Sequence, residues 1–240
     1  MKIRLWLGAA MLAGVFAGQA EAATTPVGDF SATLSAKSEY NFRGISQSDE
    51  DPALQGSLDW QHPRGFYAGA WASNVDFDDG GDADIETDIY GGYRFNYTGI
   101  AMDVGLIGYL YPGADSAFDY DYWEARAAAS HDIGPVAMTA AINYTPGNFR
   151  DSDDATYAAL AGSAPIRDTG FSVTGSLGHR WIDDEAAFGA EDYADWSAGV
   201  GYDWNGFGFA LKYVDTSMDD NACADGCDAR GIFSVSRTFE

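Results

Sequence analysis

Apolar and polar residues alternate along most of the chain, and this pattern constrains the fold more than any other feature. In residues 30–42, Leu34 and Phe42 fall on one face, whereas Lys37 and Glu39 fall on the other. A repeat of two residues is typical of a β-strand with one apolar and one polar face. On this basis we predict twelve strands, over residues 30–42, 54–60, 66–77, 85–97, 100–111, 120–131, 136–145, 157–165, 171–181, 193–204, 207–214 and 231–239. The eighth segment is alanine-rich and also fits a short helix.

The connections between the predicted strands alternate strictly in length. Short connections rich in Gly, Pro, Asn and Asp suit tight turns, and they lie at residues 62–65, 96–99, 132–135, 166–170 and 203–206. Longer connections lie at residues 44–53, 78–84, 112–119, 146–156, 182–192 and 215–230. An outer-membrane barrel has short periplasmic turns and long external loops. A soluble barrel has no reason to sort its loops in this way. We therefore predict an all-β fold, a transmembrane up-and-down antiparallel β-barrel with both termini periplasmic.

The membrane interpretation decides which face of each strand points outward. A soluble barrel buries its apolar face, whereas a membrane barrel turns that face to lipid and keeps polar side chains in its lumen. The apolar faces of the predicted strands are nearly free of charge, and a lipid-facing Lys or Arg costs about 2–4 kcal/mol at the bilayer midplane. We therefore expect Leu34 and Phe42 to face lipid. The predicted pore-lining residues are Lys37, Glu39, Asp59, Glu86, Asp88, Arg94, Asp103, Glu124, Arg126, Arg180, Asp195, Asp203 and Lys212.

Residues 1–22 have the features of a cleaved secretory signal peptide. A basic start precedes an apolar run from Leu5 to Phe16, and the small residues Ala20 and Ala22 fit a cleavage site. The apolar run is too short to cross a bilayer as a helix. We expect export through the inner membrane of a Gram-negative cell and a single outer-membrane barrel domain over residues 23–240, because no linker-like segment interrupts that region.

The formal net charge of −24 limits the partners of the chain. Nucleic acid is excluded, because its phosphates need Lys and Arg. The six long connections contain 22 Asp and Glu residues against only Arg150 and Arg230, which predicts a preference for cations if the barrel conducts. The acidic runs 76–84 and 183–192 also carry the oxygen ligands that calcium and magnesium prefer, without EF-hand spacing. Solvated acidic loops and weak divalent-cation binding, including bridges to lipopolysaccharide phosphates, both remain open.

Two cysteines and three histidines are the remaining candidates for chemistry. Cys223 and Cys227 lie in the last long connection, and an exported chain can oxidise such a pair to a disulfide. A metal site with two cysteines would lack its third and fourth ligands. No nucleophile elbow or other catalytic signature accompanies the histidines, so we predict neither an enzyme nor a cofactor.

Several short motifs lie in the first half of the chain. They are RGISQ at residues 43–47, PALQG at 52–56, GFYAG at 65–69, SNV at 73–75, YGGY at 90–93, YPG at 111–113 and YWE at 122–124. The stretch that carries them resembles the TorF family of porins, closely over residues 38–97 and more loosely to about 126. The resemblance implies a bacterial outer-membrane β-barrel of porin type and brings no catalytic residues. One departure is the C-terminus, where Glu240 follows Phe239 and Arg237 falls on the apolar face.

Together, these patterns predict an outer-membrane channel for passive diffusion of small polar solutes, with a preference for cations. Its surroundings would be outer-membrane lipid and lipopolysaccharide. A closed structural or surface-binding barrel with acidic loops is the alternative. Twelve strands lie between the eight-stranded barrels, which side chains can fill, and the wide channels of sixteen or more strands. An outer-membrane enzyme is the least favoured interpretation.

Overall fold

A closed β-barrel accounts for most of the chain. The computed structural model describes residues 27–219 and 226–240. In chain order, the strands are β1 (Asp29–Lys37), β2 (Asn41–Phe42), β3 (Ile45–Ser46), β4 (Ala53–Gln61), β5 (Phe66–Asn74), β6 (Ile85–Tyr97), β7 (Ile100–Leu110), β8 (Tyr122–Ile133), β9 (Val136–Thr145), β10 (Ala155–Pro165), β11 (Phe171–Ile182), β12 (Tyr193–Trp204), β13 (Phe207–Thr216) and β14 (Arg230–Phe239). A 3-10 turn (Phe149–Asp151) and a short helix, α1 (Glu185–Phe188), lie in two of the connections.

Twelve of these strands form one antiparallel ring. Strands β4 to β14 pair in sequence order, and β1 closes the ring by pairing with both β4 and β14. Strands β2 and β3 pair only with each other, in a two-stranded hairpin. The prediction of an all-β, twelve-stranded antiparallel barrel is thereby confirmed. The part of the chain that the structure describes contains no helix long and apolar enough to span a membrane. The predicted signal peptide, residues 1–22, lies outside the described residues.

Large apolar side chains cover the outside of the barrel. Leu58, Leu106, Leu177 and Leu211 are all more than half exposed, at 68%, 57%, 58% and 60%. The residues before and after each of them point inward and are less exposed. A surface of exposed leucines is unusual in a soluble protein. It suits a barrel whose outer face contacts lipid.

Three of the five connections at one end of the barrel are two-residue turns. Thr98 and Gly99 have φ angles of 51° and 88°, and Asn205 and Gly206 have φ angles of 51° and 79°. Two successive positive φ angles define the type I′ turn, whose twist matches that of antiparallel strands. We call this end of the barrel the short-turn end. The opposite end, where the long connections lie, is the long-loop end.

One segment that the sequence left ambiguous is a regular strand. The alanine-rich segment forms β10 (Ala155–Pro165) and not a helix, because it pairs along its length with β9 and β11. In β5, the bulky residues Tyr67 and Trp71 point inward, whereas Phe66 and small alanines point outward. The interior of the barrel near β5 is therefore aromatic as well as polar.

Arg237 lies on the outer face, as the alternation in β14 predicts. It pairs with Leu34 on β1 and with Phe207 on β13. Its guanidinium carbon lies 4.8 Å from the centroid of the Phe207 ring and 5.3 Å from that of Phe239. Both rings are near the short-turn end, so the charge lies close to the edge of the apolar belt. Contacts of this kind let a guanidinium stay at the rim while its stem covers apolar surface.

Candidate channel and its inner hairpin

The interior of the barrel has two distinct halves. In the half nearer the short-turn end, the inward-facing residues are mostly small and partly exposed, which leaves room for water. They include Thr33, Ser57, Thr139, Ala141, Ala161, Thr174, Ser176, Ser197, Gly199, Ser234, Ser236 and Thr238. We call this half the vestibule. In the half nearer the long-loop end, the inward-facing residues are large and almost completely buried. They include Glu86, Asp88, Tyr109, Tyr122, Glu124, Tyr157, Arg180 and Tyr193.

A hairpin formed by residues 39–48, which we call the inner hairpin, fills the buried half. It consists of β2 and β3, joined by a two-residue turn at Arg43 and Gly44. Both turn residues have positive φ angles, 51° and 89°, so this is another type I′ turn. A positive φ is costly for a residue with a side chain, and such strain persists where the surroundings hold it. The contacts of Arg43 supply those surroundings.

Arg43 crosses the lumen and contacts the far wall of the barrel. Its Nη1 and Nη2 atoms donate hydrogen bonds of 2.7 and 2.6 Å to the two carboxylate oxygens of Glu124 on β8. The guanidinium lies between the rings of Phe42 and Tyr157, at 4.6 and 4.3 Å from their centroids. In the ring of strands, three strands separate β4 from β8, and six separate β1 from β8 in the other direction. The inner hairpin therefore spans the barrel from one side to the other.

Tyr40 anchors the base of the inner hairpin to β6. Its hydroxyl donates a hydrogen bond of 2.8 Å to Glu86, and Tyr111 donates another, of 2.9 Å, to the second oxygen of the same carboxylate. Burial, followed by the charge of Glu86, raises the pKa of both phenols well above the usual range. Both hydroxyls therefore remain protonated donors. Beside Glu86, Asp88 is fully buried, and its carboxylate oxygens accept no hydrogen bond from the residues that the structure describes.

The inner hairpin also contacts β13, β14 and Gly226, which precedes β14. A Cβ atom on Gly44 would overlap Thr216 on β13, so only glycine fits this position. Arg230 on β14 forms an ion pair with Glu39 and donates a 3.1 Å hydrogen bond to the carbonyl of Gly44. The amide of Ser46 donates to the carbonyl of Gly226 at 2.6 Å. With these contacts, the inner hairpin touches the wall in several directions and closes the long-loop half of the lumen.

This arrangement corrects the prediction for the end of the first strand. The sequence alternation continues to Phe42 and places Phe42 on the lipid face, but β1 ends at Lys37. Tyr40 is 2% exposed inside the barrel, and Phe42 packs against the same buried cluster. The prediction for Leu34 agrees with its 57% exposure on the outer face. Phe42 differs because the chain turns into the lumen after Lys37 and keeps the same alternation within the hairpin.

Aromatic side chains from three loops at the long-loop end pack together beside the inner hairpin. Phe77, Tyr111, Tyr120 and Phe149 come from three different connections, and their ring centroids lie 4.8 to 5.8 Å apart. Sequence reasoning did not predict this cluster, because it placed Phe77, Tyr111 and Tyr120 at the ends of predicted strands, whereas the structure places them in the loops. The alternation of strands gives no signal for packing between loops.

The thirteen predicted pore-lining residues divide between the two halves. Those in the buried half are Glu39, Glu86, Asp88, Glu124, Arg180 and Asp195. Those that are partly or fully exposed are Lys37, Asp59, Arg94, Asp103, Arg126, Asp203 and Lys212. Arg94 forms an ion pair of 3.0 Å with Asp103. Asp59 accepts hydrogen bonds from Tyr90 and Ser57. Sequence reasoning could place these charges inside the barrel but could not predict which of them neutralise each other.

The candidate metal and disulfide sites lie in the long loops. No group of three or more His, Cys, Asp and Glu residues suited to a metal ion occurs within residues 27–219 and 226–240. Cys227 is buried and is not a free thiol. Its predicted partner, Cys223, lies outside the described residues, so the pairing stays a prediction.

Comparisons with known proteins agree with the barrel architecture. The model of a family described as "Bacterial protein of unknown function (Gcw_chp)" matches residues 20–239. No curated protein matches the sequence. Among solved structures, the chain is similar to the KdgM porin, with a TM-score of 0.56, 6% identity, and coverage of 88% of this chain and 98% of that one. It is similar to the NanC porin, with a TM-score of 0.58, 7% identity, and coverage of 87% and 99%. It is also similar to the COG4313 outer membrane channel from Pseudomonas putida F1, with a TM-score of 0.53, 14% identity, and coverage of 94% and 100%. At these identities, the likeness shows a shared fold.

Proposed function

We propose that this chain, which belongs to the Gcw_chp family of bacterial proteins of unknown function, is a porin-like channel of an outer membrane. Passive diffusion of small polar solutes is the activity that we assign to it. The observation that carries the proposal is the combination of an exposed apolar belt with a vestibule of small, partly exposed polar residues. A barrel of this kind separates lipid from a water-accessible interior.

The proposed location is the outer membrane, with the short-turn end in the periplasm and the long loops outside the cell. Residues 1–22, as a signal peptide, would direct export, and residues 23–240 would form the barrel. The resemblance of residues 38–97 to TorF-family porins supports the same location and class. In this orientation, the apolar belt faces lipid, and the acidic loops meet the lipopolysaccharide side.

The inner hairpin gives the proposed channel a closed state. It fills the long-loop half of the lumen, so a solute larger than water needs a displacement of residues 39–48 to pass. Its hydrogen-bonded and ionic anchors to the barrel wall are Arg43 to Glu124, Tyr40 to Glu86, and Arg230 to Glu39, and the rings of Tyr40 and Phe42 also pack against Trp71 and Tyr109. The polar anchors can exchange for water as the hairpin leaves.

Cation preference is the selectivity that we propose for the long-loop mouth. The six long connections, bounded as in the sequence analysis, contain 22 acidic residues and two arginines. At physiological salt, screening acts over about 8 Å, so only charges near the path affect a solute. Loops that surround the mouth satisfy this condition and raise the local cation concentration.

Single-channel conductance in planar bilayers tests the proposal. The test variant replaces residues 40–47 with a short Gly-Ser linker, and the control variant shortens the connection that contains α1. We expect small or infrequent openings from the wild-type protein and a larger, more frequent conductance from the hairpin variant. The control should behave like the wild type. The absence of conductance from a correctly folded hairpin variant would contradict the channel proposal.

A closed structural barrel is the second candidate, and one observation favours it. The long-loop half holds a buried cluster of Tyr40, Val75, Ile107, Tyr109 and Tyr122, in contact with the inner hairpin. Such a cluster stabilises a closed lumen without any need for passage. If neither the wild type nor the hairpin variant conducts, the barrel serves to present its acidic loops.

A further inference from the structure

The lysines of this chain have an unusual distribution. Beyond Lys2, the sequence contains only two lysines, Lys37 and Lys212, among 240 residues. Both point into the lumen, where lysine is costly unless water or an anion solvates it. Solubility does not explain them, because neither lies on an outer surface or in an exposed loop. Their position inside the barrel therefore calls for a separate explanation.

Register places the two lysines on either side of β14, on strands β1 and β13. Lys37 pairs with Ser234 on β14, and Lys212 pairs with Ile232, the adjacent inward-facing residue of the same strand. Both residues are partly buried at the upper edge of the vestibule, directly beneath the inner hairpin. The Lys37 Nζ atom lies 5.9 Å from the centroid of the Tyr40 ring, which belongs to that hairpin.

Neither lysine is neutralised by a carboxylate. The ion pairs within the described residues are Arg43–Glu124, Arg94–Asp103, Arg150–Asp79 and Arg230–Glu39. Asp195 on β12 forms no ion pair with Lys212, and it accepts a 2.9 Å hydrogen bond from Tyr157. On the opposite wall, Arg126 has only a long contact of 3.4 Å, to the amide of Asn143. Within the described residues, the cations at this level thus form no ion pair, while Asp195 already has a donor.

We propose that Lys37 and Lys212 form a subsite for small oxyanions, namely carboxylate or phosphate groups of solutes in the vestibule. Two ammonium groups with free donors, beside the hydroxyl of Ser234, match the several acceptor oxygens of such a group. The subsite names a class of solute for the vestibule, whereas the cation preference concerns the long-loop mouth, and its biological meaning rests on the proposed channel. The acidic loops lie beyond the inner hairpin, so they do not compete for these lysines.

Lysine acylation of the detergent-folded protein tests the subsite without any need for conduction. N-hydroxysuccinimidyl acetate is the reagent, peptide mapping reports each lysine, and inorganic phosphate is the probe. For a site with a millimolar dissociation constant, about 10 mM phosphate should slow acylation of Lys37 about tenfold. Sodium chloride at equal ionic strength should slow it much less. Equal slowing by both salts would mean screening alone and would overturn the subsite.

Substitutions at Lys212 complete the test. Lys212→Gln should abolish protection of Lys37 by phosphate, whereas Lys212→Arg should retain it, because the charge is kept. Arg64→Gln is the control, since it removes the same charge from an exposed short turn. Retained protection in Lys212→Gln would contradict a site built by both lysines. A barrel that fails to conduct but shows phosphate protection would keep the subsite and reject the channel, so the two failures are distinguishable.

Discussion

Arg43 and Glu124 lie 81 residues apart in the sequence and form a two-point ion pair in the middle of the barrel. Their side chains are only 5% and 2% exposed. Arg43 belongs to the tip of the inner hairpin, and Glu124 belongs to the opposite wall. This one pair therefore joins two sides of the barrel and fixes the position of the element that closes the lumen.

Substitution of Glu124 by Ala should destabilise the protein strongly. Removal of one partner leaves the Arg43 charge buried without compensation, which costs about 3–5 kcal/mol. Urea unfolding of the detergent-folded protein, followed by tryptophan fluorescence, measures this loss. Arg150→Gln is the control, because its pair with Asp79 is 3.9 Å long and more exposed. Surface pairs of that kind contribute about 0–1 kcal/mol.

The double substitution Arg43→Met with Glu124→Leu tests whether the instability of Glu124→Ala comes from the unpaired charge of Arg43. Apolar residues of similar volume often restore the stability that a single substitution of a buried pair removes. We expect the double variant to recover most of the lost unfolding free energy and to hold the hairpin in place. A double variant as unstable as Glu124→Ala would mean that another contact of Glu124, such as the 3.2 Å hydrogen bond that it accepts from Tyr109, decides the stability.

The strands could be predicted from the sequence because their signal is local. In β11, each residue from Phe171 to Ile182 alternates between lipid and lumen, and neighbouring residues alone reveal this. The inner hairpin has no such signal. Tyr40 and Phe42 continue the alternation of β1, and their burial depends on partners such as Glu86 that lie far along the chain. A pattern of period two cannot distinguish a strand that continues from a strand that turns into its own barrel.

Adjacent residues on β11 provide a test of which face meets lipid. Leu177 is 58% exposed on the outer face, and Ser176 faces the vestibule. Leu177→Arg should reduce the folded fraction, because a charge near the midplane costs about 2–4 kcal/mol on the lipid side. Ser176→Arg should be tolerated, because water reaches that position. The migration of unheated samples in SDS gels measures the folded fraction, and equal tolerance at both positions would reject the lipid-facing assignment.

Tyr40→Phe tests the second anchor of the inner hairpin. The change removes one hydroxyl and leaves an oxygen of the buried Glu86 carboxylate without its donor, which costs about 1–3 kcal/mol. Tyr213→Phe is the matched control, because Tyr213 is 46% exposed and its hydroxyl donates to Asp215 on the outer side. The unfolding free energies of the two variants, measured in urea, should differ by about 1 kcal/mol or more. The loss of a hydrogen bond alone typically costs about 1 kcal/mol, and an unsatisfied buried group costs more. Equal stability would mean that Tyr111 alone satisfies Glu86.

The disulfide predicted between Cys223 and Cys227 should have a modest effect on stability. It would close a loop of only a few residues, and the loop-entropy relation gives about 2 kcal/mol for such a loop. Mass analysis of non-reduced peptides should find the pair two hydrogens lighter than the reduced form. Cys223→Ser should leave the barrel folded at room temperature. A larger loss would imply that the buried Cys227 supports the inner hairpin through Thr216, whose hydroxyl donates to the carbonyl of Cys227 at 3.0 Å.

The net effect of the lumen charges could not be predicted from the sequence. Arg94, Asp103 and Lys212 lie at inward-facing positions of their strands. However, the effect of a charge depends on its neighbours across strands. Arg94 and Asp103 neutralise each other, whereas Lys212 has no such partner. Strand register decides this, and a shift of two residues in one strand would exchange the partners without any change in the alternation.

Ion selectivity tests the balance between the acidic mouth and the lumen. With a potassium chloride gradient across a planar bilayer, we expect a reversal potential that favours potassium, because the long loops carry the excess of acids. High salt should weaken the preference for potassium, because the screening length becomes shorter. Lys212→Gln should strengthen it, because that change removes an unpaired cation from the path, whereas Arg64→Gln in an exposed turn should have little effect. Charge at a constriction can outweigh a larger charge at the mouth. Anion preference at low salt would therefore mean that Lys37, Lys212 and Arg126, and not the loops, control passage.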